Sequence, residues 1–287
     1  MENQKQLSPK TGYLNTDFRL FYLTTREGRE FQSHYHDFHK LLVFFQGNVS
    51  YVIEGETYQL QPRDIVLVPA GEVHHPIIHT PAPYERLISY LSPGFFNLCM
   101  QEGADLYQCF RQCIQNRSHV IRLNPSESAP VFSLLSGLSQ EVLENGFASL
   151  LYQRSLFLQF LILLNRSLLA QAPVFLSASS HPLVQKALSY INSHLQHPLS
   201  VDEIASFCYV NRSYLMHLFR KETGSTLGSY IAEKRLFYAR SLIRSGVPVT
   251  EACLLSGFPS YSSFYRAYKK KFGNPPKDSR NLHLSVR

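Results

Sequence analysis

The chain has 287 residues, of which 44% are hydrophobic, and it carries a formal net charge of +7. This length is enough for two domains that each bury a core of their own. No apolar run approaches the ~18 residues of a membrane span, and the most apolar stretch, residues 156–164, predicts a buried helix. The polar N-terminus lacks the apolar core of a signal peptide and the five cysteines form no CxxC pair, so we expect a cytoplasmic protein with reduced thiols.

Positive charge is confined to the last third of the chain. Residues 181–287 hold 15 Lys and Arg against 6 Asp and Glu, a net charge of +9, whereas residues 1–180 hold 13 against 15, a net charge of −2. A basic domain attracts the phosphate backbone of nucleic acid because binding releases condensed counterions. The charge distribution therefore indicates a C-terminal domain that binds nucleic acid.

The first hundred residues predict β structure. Strand-like runs at 18–23, 41–45, 49–53 and 65–68 are separated by turn signals that contain Gly, Pro, Asn and Asp. Short strands at this spacing are typical of a sandwich or barrel.

The pattern changes to helical from about residue 94. Apolar residues recur at i, i+3 and i+4 spacing up to about residue 171, and a stretch rich in Pro and Ser then predicts a linker. The expected fold is α+β with two domains. Its parts are a β-barrel at 1–98, a helical segment at 99–172 that covers the barrel or forms a dimer surface, a linker at 173–182, and an all-α domain at 183–287.

The last third repeats one pattern twice. The closing glycines, Gly224 and Gly273, are 49 residues apart, whereas the leading segments that begin at Val201 and Val249 are 48 apart. The second copy therefore has one extra residue near its turn. A helix, a short turn and a second helix, present twice on a basic background, are typical of a double helix-turn-helix that reads duplex DNA.

The second helix of each copy has the two faces that DNA recognition requires. In the first copy, Leu215, Leu218 and Phe219 share an apolar face, and polar residues lie opposite. Arginine can donate two hydrogen bonds to guanine, whereas lysines at a helix end suit phosphates. A helix over about 227–244 joins the copies; its 18 residues span roughly 27 Å, against the ~34 Å between successive major grooves on one side of DNA.

At these residues the chain resembles the AraC/XylS family of bacterial transcription regulators. The match covers about 183–280 and includes 214–215, 219–224, 257–258, 264–266, 272–276 and Arg280. Cys253 and Tyr268 depart mildly from the family pattern, where alanine and phenylalanine are usual.

The resemblance implies base contacts from two sets of residues, to which we add two lysines that suit phosphates. These residues are Arg212, Ser213, Met216 and His217; Tyr261, Ser262, Ser263 and Arg266; and Lys269 and Lys270. It also implies double-stranded promoter DNA, a second copy of the chain and RNA polymerase as partners, and it favours activation over repression.

Residues 17–95 are similar to the cupin-type sensing domain of this family, a small barrel whose interior holds a ligand. The likeness lies in 34–40 and 62–75. It implies a small-molecule effector, most often a sugar or related metabolite. The rings of Tyr51 and Tyr90 would suit the C–H faces of a sugar. The candidate effector-binding residues are His34, His36, His39, Lys40 and His74.

Three of these histidines, at positions 34, 36 and 74, resemble the metal ligands of enzymatic cupins. A His-x-His pair on one strand points to one face, as a metal site requires. However, Lys40 stands where those enzymes carry a glutamate, and a cation opposes a divalent ion; Arg63 also replaces the turn glycine. We therefore predict no metal and no other cofactor. Metal binding, effector binding, and packing within the barrel remain open for His34, His36 and His74.

The sequence thus predicts a one-component transcription factor rather than an enzyme. Effector binding would change domain or dimer geometry, provided that the effector binds one arrangement better than the other. The alternatives are a metal-dependent cupin enzyme fused to a DNA-binding domain, and a constitutive DNA-binding dimer that senses no effector.

Overall fold

The computed structural model describes residues 14, 16–26, 31–101, 103–124, 129–144, 146–170 and 174–278. These residues divide into two compact units, the first ending at Ser179 and the second beginning at Ser180. The first unit contains β-strands and helices and the second contains helices, which confirms the predicted α+β class. None of the helices in the described ranges is both long and apolar enough to cross a membrane. Arg280 lies outside the described residues.

Two sheets form the β structure of the first unit. The strands are β1 (Phe18–Thr25), β2 (His39–Gln46), β3 (Val49–Ile53), β4 (Glu56–Gln59), β5 (Ile65–Val68), β6 (His74–Ile78), β7 (Tyr84–Leu91), β8 (Val120–Arg122), β9 (Val174–Phe175) and β10 (Ser179–Ser180). One sheet has the order β1-β7-β2-β5-β8-β9, and in the other β3 lies between β4 and β6. The pairs within β1–β9 are antiparallel.

Strand β2 shows how the two faces of the larger sheet are used. Leu41 and Val43 pack on the helices of the first unit, whereas Leu42 and Phe44 pack on residues of both sheets. Because both faces are covered, the strand reads as a nearly continuous apolar run. Alternation puts Lys40 on the same face as Leu42 and Phe44, so this cation lies between the sheets.

The helices of the first unit are α1 (Pro93–Gln101), α2 (Gln108–Asn116), α3 (Ala129–Glu144) and α4 (Ser149–Ala170). The expectation of helical structure throughout 94–171 is wrong at β8, which pairs with β5 through Ile65 and Ile121. Its β-branched Val120 and Ile121 are fully buried, which favours a strand over another helical turn. Strand β9, which pairs with β8, falls within the segment expected to be a linker.

The second unit contains α5 (Pro182–His194), α6 (Val201–Cys208), α7 (Arg212–Thr223), α8 (Leu227–Arg244), α9 (Val249–Leu255) and α10 (Tyr261–Phe272). The linking helix predicted at about 227–244 is α8. The starts of α6 and α9 are 48 residues apart (249 − 201) and those of α7 and α10 are 49 apart (261 − 212), so the extra residue of the second copy is present at its turn.

Local sequence sets the ends of the two recognition helices, α7 and α10. Asn211 accepts a hydrogen bond from the backbone N–H of Tyr214 at 2.8 Å, and Ser260 caps α10 in the same way. Each helix ends at a glycine with positive φ, 71° at Gly224 and 75° at Gly273. Polar caps satisfy free N–H groups and glycine adopts the left-handed conformation without steric cost, so the repeat is partly a repeat of helix-end signals.

The turn of the second copy packs closely on neighbouring backbone. Gly257 has a φ of +80°, and a Cβ at this position would lie 2.5 Å from the carbonyl oxygen of Leu195. Arg235 of α8 donates to that same oxygen at 2.9 Å and to the carbonyl oxygen of His197 at 2.6 Å. These contacts tie the second helix-turn-helix to α8 and to the loop after α5.

Candidate functional site

Both recognition helices bury one face and expose the other. Leu215 and Phe219 of α7, and Phe264 and Tyr268 of α10, are fully buried. Of the residues predicted to contact DNA, Ser263 is half-buried and takes part in the N-terminal cap of α10. The others are exposed: Arg212, Ser213, Met216, His217, Tyr261, Ser262, Arg266, Lys269 and Lys270.

The two arginines of these faces have different partners. Arg212 donates to the carboxylate of Asp202 on α6 at 2.8 Å, and both side chains are exposed. Arg266 donates only to the backbone oxygen of Ser262, at 3.3 Å, and within the described ranges no carboxylate pairs with it. A DNA contact by Arg212 would therefore require it to leave a carboxylate, whereas one by Arg266 would not.

The lysines at the end of α10 also differ from one another. Lys271 donates to Glu233 of α8 at 3.0 Å, so it holds the helix in place. Lys269 and Lys270 are exposed in the last turn, where the helix dipole favours positive charge. Their position suits contact with phosphates.

The first unit brings His34, His36 and His74 together. Their ring centroids are 4.6–5.2 Å apart, and one nitrogen of each lies within 4.8 Å of the others. His34 and His36 do not share a regular strand, as the sequence suggested, but precede β2 in an extended segment. Two backbone hydrogen bonds, of 3.1 and 2.8 Å, join His34 to His74 of β6 and fix the contact.

Backbone carbonyls set the tautomers of two of these rings. Nδ1 of His74 lies 3.0 Å from the oxygen of Glu72, and Nδ1 of His34 lies 2.9 Å from the oxygen of Gln32. A carbonyl only accepts, so Nδ1 carries a proton in both rings, and in a neutral ring Nε2 then keeps a lone pair. Burial lowers the pKa of His74 well below 6.5, which keeps its ring neutral. Nε2 of His74 is buried and has no hydrogen-bond partner.

Lys40 lies beside these rings. Its side chain is 5% exposed, and Nζ donates to the hydroxyl oxygen of Tyr51 at 2.7 Å. The Tyr51 ring stacks on His74 with centroids 6.0 Å apart. Burial, and secondly the positive charge of Arg86, lowers the pKa of Lys40 to about 7. We call His34, His36, Lys40, Tyr51 and His74 the interior cluster.

Arg86 of β7 is a second buried cation, which sequence reasoning missed. It is 6% exposed, its guanidinium lies 4.1 Å from the Tyr84 ring centre, and it donates to Thr25 and to the backbone oxygen of Tyr84, both at 2.8 Å. Among the residues that the structure describes, neither Lys40 nor Arg86 is paired with a carboxylate. The sequence signal was the alternation of Tyr84, Arg86, Ile88 and Tyr90, which puts all four on one face.

His39 does not join the interior cluster, although the sequence suggested that it would. Alternation along β2 turns it to the opposite side from Lys40, where its ring contacts Phe96, Tyr107 and Phe110. Its Nδ1 accepts a hydrogen bond from the backbone N–H of Ala70 at 3.1 Å. Burial lowers its pKa to about 4, so it is a neutral group of the helix-facing core.

Two buried cationic groups disfavour a divalent metal at the interior cluster. Three imidazoles are a donor set that zinc accepts, and the ligand atoms are close enough to converge. However, Lys40 and Arg86 add basic groups to the same interior. Repulsion between like charges is strong where water is excluded.

Comparison with known proteins agrees with this arrangement. A model of the AraC-like ligand binding domain matches residues 20–161, and a model of a helix-turn-helix domain matches residues 195–281. The chain belongs to the AraC/XylS family. It is 28% identical over 254 residues to the HTH-type transcriptional activator RhaS of Shigella sonnei (strain Ss046), which covers 88% of each chain. The RhaS of Escherichia coli (strain K12 / DH10B) gives the same identity and coverage.

Two solved structures similar to this AraC-family chain differ in coverage. An AraC-type DNA-binding regulator from Chromobacterium violaceum is 29% identical and covers 37% of this chain and 96% of its own, with a TM-score of 0.34. ToxT from Vibrio cholerae O395 is 14% identical and covers 94% and 99%, with a TM-score of 0.39. At these scores the likenesses add nothing to the fold described above.

Proposed function

We propose that this AraC-family chain is a sequence-specific transcriptional activator, controlled by a small effector that binds between the sheets of the first unit, and that it is not an enzyme. The observation that carries the proposal is the pair of recognition helices, each with a buried apolar face and an exposed polar one, on a unit of net charge +9. Relatives named as transcriptional activators over 88% of the chain support it. Because the partner is promoter DNA, we place the protein in the cytoplasm.

We further propose how the DNA is read. Residues 212, 213, 216 and 217 of α7 contact bases in one major groove, and 261, 262, 263 and 266 of α10 contact bases in the next. Lys269 and Lys270 bind phosphates and fix the register. The 18 residues of α8 separate the two reading helices.

Variants of the full-length protein test this reading. Duplexes are first selected from a random pool with the wild type, and affinity is then measured by fluorescence anisotropy at one salt concentration. Arg266→Ala should weaken binding to the selected duplex by ~1–3 kcal/mol, about 5- to 150-fold, and leave binding to a scrambled duplex unchanged. Arg166→Ala, which removes one exposed charge from α4, is the control and should change neither. An equal loss on both duplexes for Arg266→Ala would show a phosphate contact only.

A homodimer and RNA polymerase are the proposed protein partners. Apolar side chains at the end of α3 and the start of α4 are exposed, at 67% for Leu143, 101% for Phe147, 80% for Leu150 and 70% for Leu151. Exposed apolar patches of this kind mark interaction surfaces. A monomer in analytical ultracentrifugation at micromolar concentration would exclude the dimer.

The effector-controlled regulator and its two alternatives, a constitutive dimer and a metal-dependent cupin enzyme, predict different responses to small molecules. The effector-controlled regulator should be stabilised by a small organic ligand, because a ligand that binds only the folded state raises its free energy of unfolding. A constitutive dimer should respond to no ligand, and a metal-dependent cupin should respond to divalent metals alone. A thermal-shift screen of purified protein against sugars, sugar acids and divalent metals separates the three.

A further inference from the structure

In the described part of the first unit, two buried basic side chains have no acidic partner. Lys40 is the only lysine between residues 11 and 185, and it is placed between the sheets with 5% of its surface exposed. Among the described residues, Lys40 and Arg86 donate hydrogen bonds only to neutral groups, which are the Tyr51 hydroxyl, the Thr25 hydroxyl and a backbone oxygen. Burying a cation without an opposite charge costs free energy, and proteins rarely do so for stability alone.

Elsewhere in the same unit, buried charge has a partner. Asp64 is fully buried, and Arg122 donates to its two carboxylate oxygens at 2.7 and 2.8 Å. This sheet can therefore supply an opposite charge where the fold needs one. The absence of one beside Lys40 and Arg86, in the described part of the chain, indicates that a ligand supplies it.

A hydrogen-bond acceptor without a donor lies beside these cations. Nε2 of His74 is buried without a partner, and the carbonyl of Glu72 holds the proton on the opposite nitrogen. Unsatisfied buried acceptors are rare in folded proteins. A hydroxyl group of a ligand would satisfy this atom.

We propose that the effector is a hydroxylated small-molecule anion, with its carboxylate or phosphate against Lys40 in the field of Arg86 and a hydroxyl donating to Nε2 of His74. The inference rests on the proposed function, since it names the class of effector for that same interior. A neutral sugar would satisfy His74 but leave both cations uncompensated. An anion satisfies both, and hydrogen bonds in which a partner is charged are about twice as strong as neutral ones.

The test uses compounds matched except in charge, with the full-length protein. Each set contains an aldohexose, its uronate and its 6-phosphate: glucose, glucuronate and glucose 6-phosphate, with the galactose and mannose sets beside it. Affinity is measured by calorimetry. In at least one set, a charged member should bind at least 10-fold more tightly than the neutral sugar. The uronate and the phosphate distinguish the two acidic groups, and inorganic phosphate and acetate, expected to bind more weakly, show whether the hydroxylated part is needed.

Lys40→Met separates a binding role from a structural one. Because it replaces a buried cation by an apolar side chain of similar length, thermal stability without ligand should stay the same or rise, while affinity for the anion falls at least 10-fold. The control Arg166→Met removes an exposed cation and should keep the full affinity. A lower thermal stability of Lys40→Met with unchanged anion affinity would show that Lys40 only supports the fold, and would overturn the inference.

Proton uptake gives a second measurement. Burial holds the pKa of Lys40 at about 7, so an anion that restores its charge at pH 8 must take up a proton. The calorimetric enthalpy should then differ between HEPES and Tris buffers, whose ionisation enthalpies differ, and this difference should vanish in Lys40→Met. An equal enthalpy in both buffers for the wild type counts against the proposed contact.

The remaining outcomes distinguish this inference from the proposed function. Equal or tighter binding of the neutral sugars, unaffected by Lys40→Met, would overturn the proposal that the effector is an anion. The proposal of an effector-controlled regulator would still stand. The absence of binding in every set would also overturn the proposal that the effector is an anion. In both cases the DNA-binding test with Arg266→Ala still decides whether the chain is a sequence-specific regulator, because that test does not depend on the effector.

Discussion

The two units place their positive charge in opposite environments. In the second unit, whose net charge is +9, the cations of α7 and α10 that face outward are exposed. In the first, residues 1–180 have a net charge of −2, yet Lys40 and Arg86 lie between the sheets. Exposed cations stay hydrated and cost the fold little, whereas buried ones oppose folding unless an opposite charge compensates them. Whether a cation is exposed or buried therefore indicates the kind of ligand it would bind better than the net charge of its unit does.

The largest effect is expected where buried charge is paired. Asp64 accepts hydrogen bonds from Arg122 and from the backbone N–H of Gln61, the latter at 2.7 Å. Asp64→Ala should lower the free energy of unfolding by about 3 kcal/mol, because it removes a buried charged acceptor and leaves the N–H of Gln61 without its partner. Urea denaturation of the full-length protein, followed by circular dichroism, measures this change.

A control variant separates charge from hydrogen bonding at the same position. Asp64→Asn keeps an oxygen that can accept from Gln61 but removes the negative charge, so its loss should be smaller than that of Asp64→Ala. If Asp64→Ala lost less than about 1 kcal/mol, the pair would behave like an exposed one. The contrast with the unpaired cations of the same unit would then fail.

The elements that could be predicted from sequence have a single strong pattern. Strands β3 and β5 are short apolar runs between turn signals, and α8 has its apolar residues at helical spacing. Strand β6 was missed because it contains Pro76 and polar residues, and β7 because Glu85 and Arg86 interrupt its apolar pattern. The three residues of β8 are too few to give a pattern of their own.

The sites were predictable to different degrees. Positions on α7 and α10 followed from the repeat, because a helix fixes which residues share a face. In the interior cluster, the motif identified His34, His36, Lys40 and His74 but included His39, since a motif does not show which way each residue of a strand points. Only the pairing of β7 with β2, which sets Tyr90 opposite Lys40, shows that alternate residues of β7 face the cluster.

A smaller effect should appear in the pH dependence of stability. The pKa of Lys40 is about 7 in the folded protein and ~10.4 in an unfolded chain. Between these values the unfolded chain keeps a proton that the folded chain loses, so Lys40 makes stability rise with pH. The wild type should gain about 2 kcal/mol relative to Lys40→Met between pH 7 and pH 9.

Burial moves the pKa of three groups that face Lys40 away from that window. The pKa of His74 lies well below 6.5, that of Tyr51 well above 10 and that of Tyr90 above 10, because burial opposes their charged forms. Burial also lowers the pKa of Arg86 from 12.5. Urea denaturation of the wild type and Lys40→Met at pH 7, 8 and 9 checks the prediction. A difference that does not change with pH would mean that Lys40 keeps one protonation state.

The smallest effect is expected at the exposed ion pair of the second unit. Asp202→Asn removes the partner of Arg212, and because both side chains are exposed the free energy of unfolding should fall by less than about 0.5 kcal/mol. Binding to the selected duplex should become tighter, by about 2- to 5-fold, since Arg212 no longer has to leave a carboxylate and one negative charge near the DNA is lost. Anisotropy with the selected and scrambled duplexes measures this, with Glu251→Gln, an exposed acidic residue of α9, as the control for loss of charge alone. If Asp202→Asn weakened binding instead, the ion pair would be holding Arg212 in the position that contacts DNA. An exposed ion pair of the second unit would then fix the position of an arginine before DNA binds, as the buried carboxylate of Asp64 fixes that of Arg122 in the first unit.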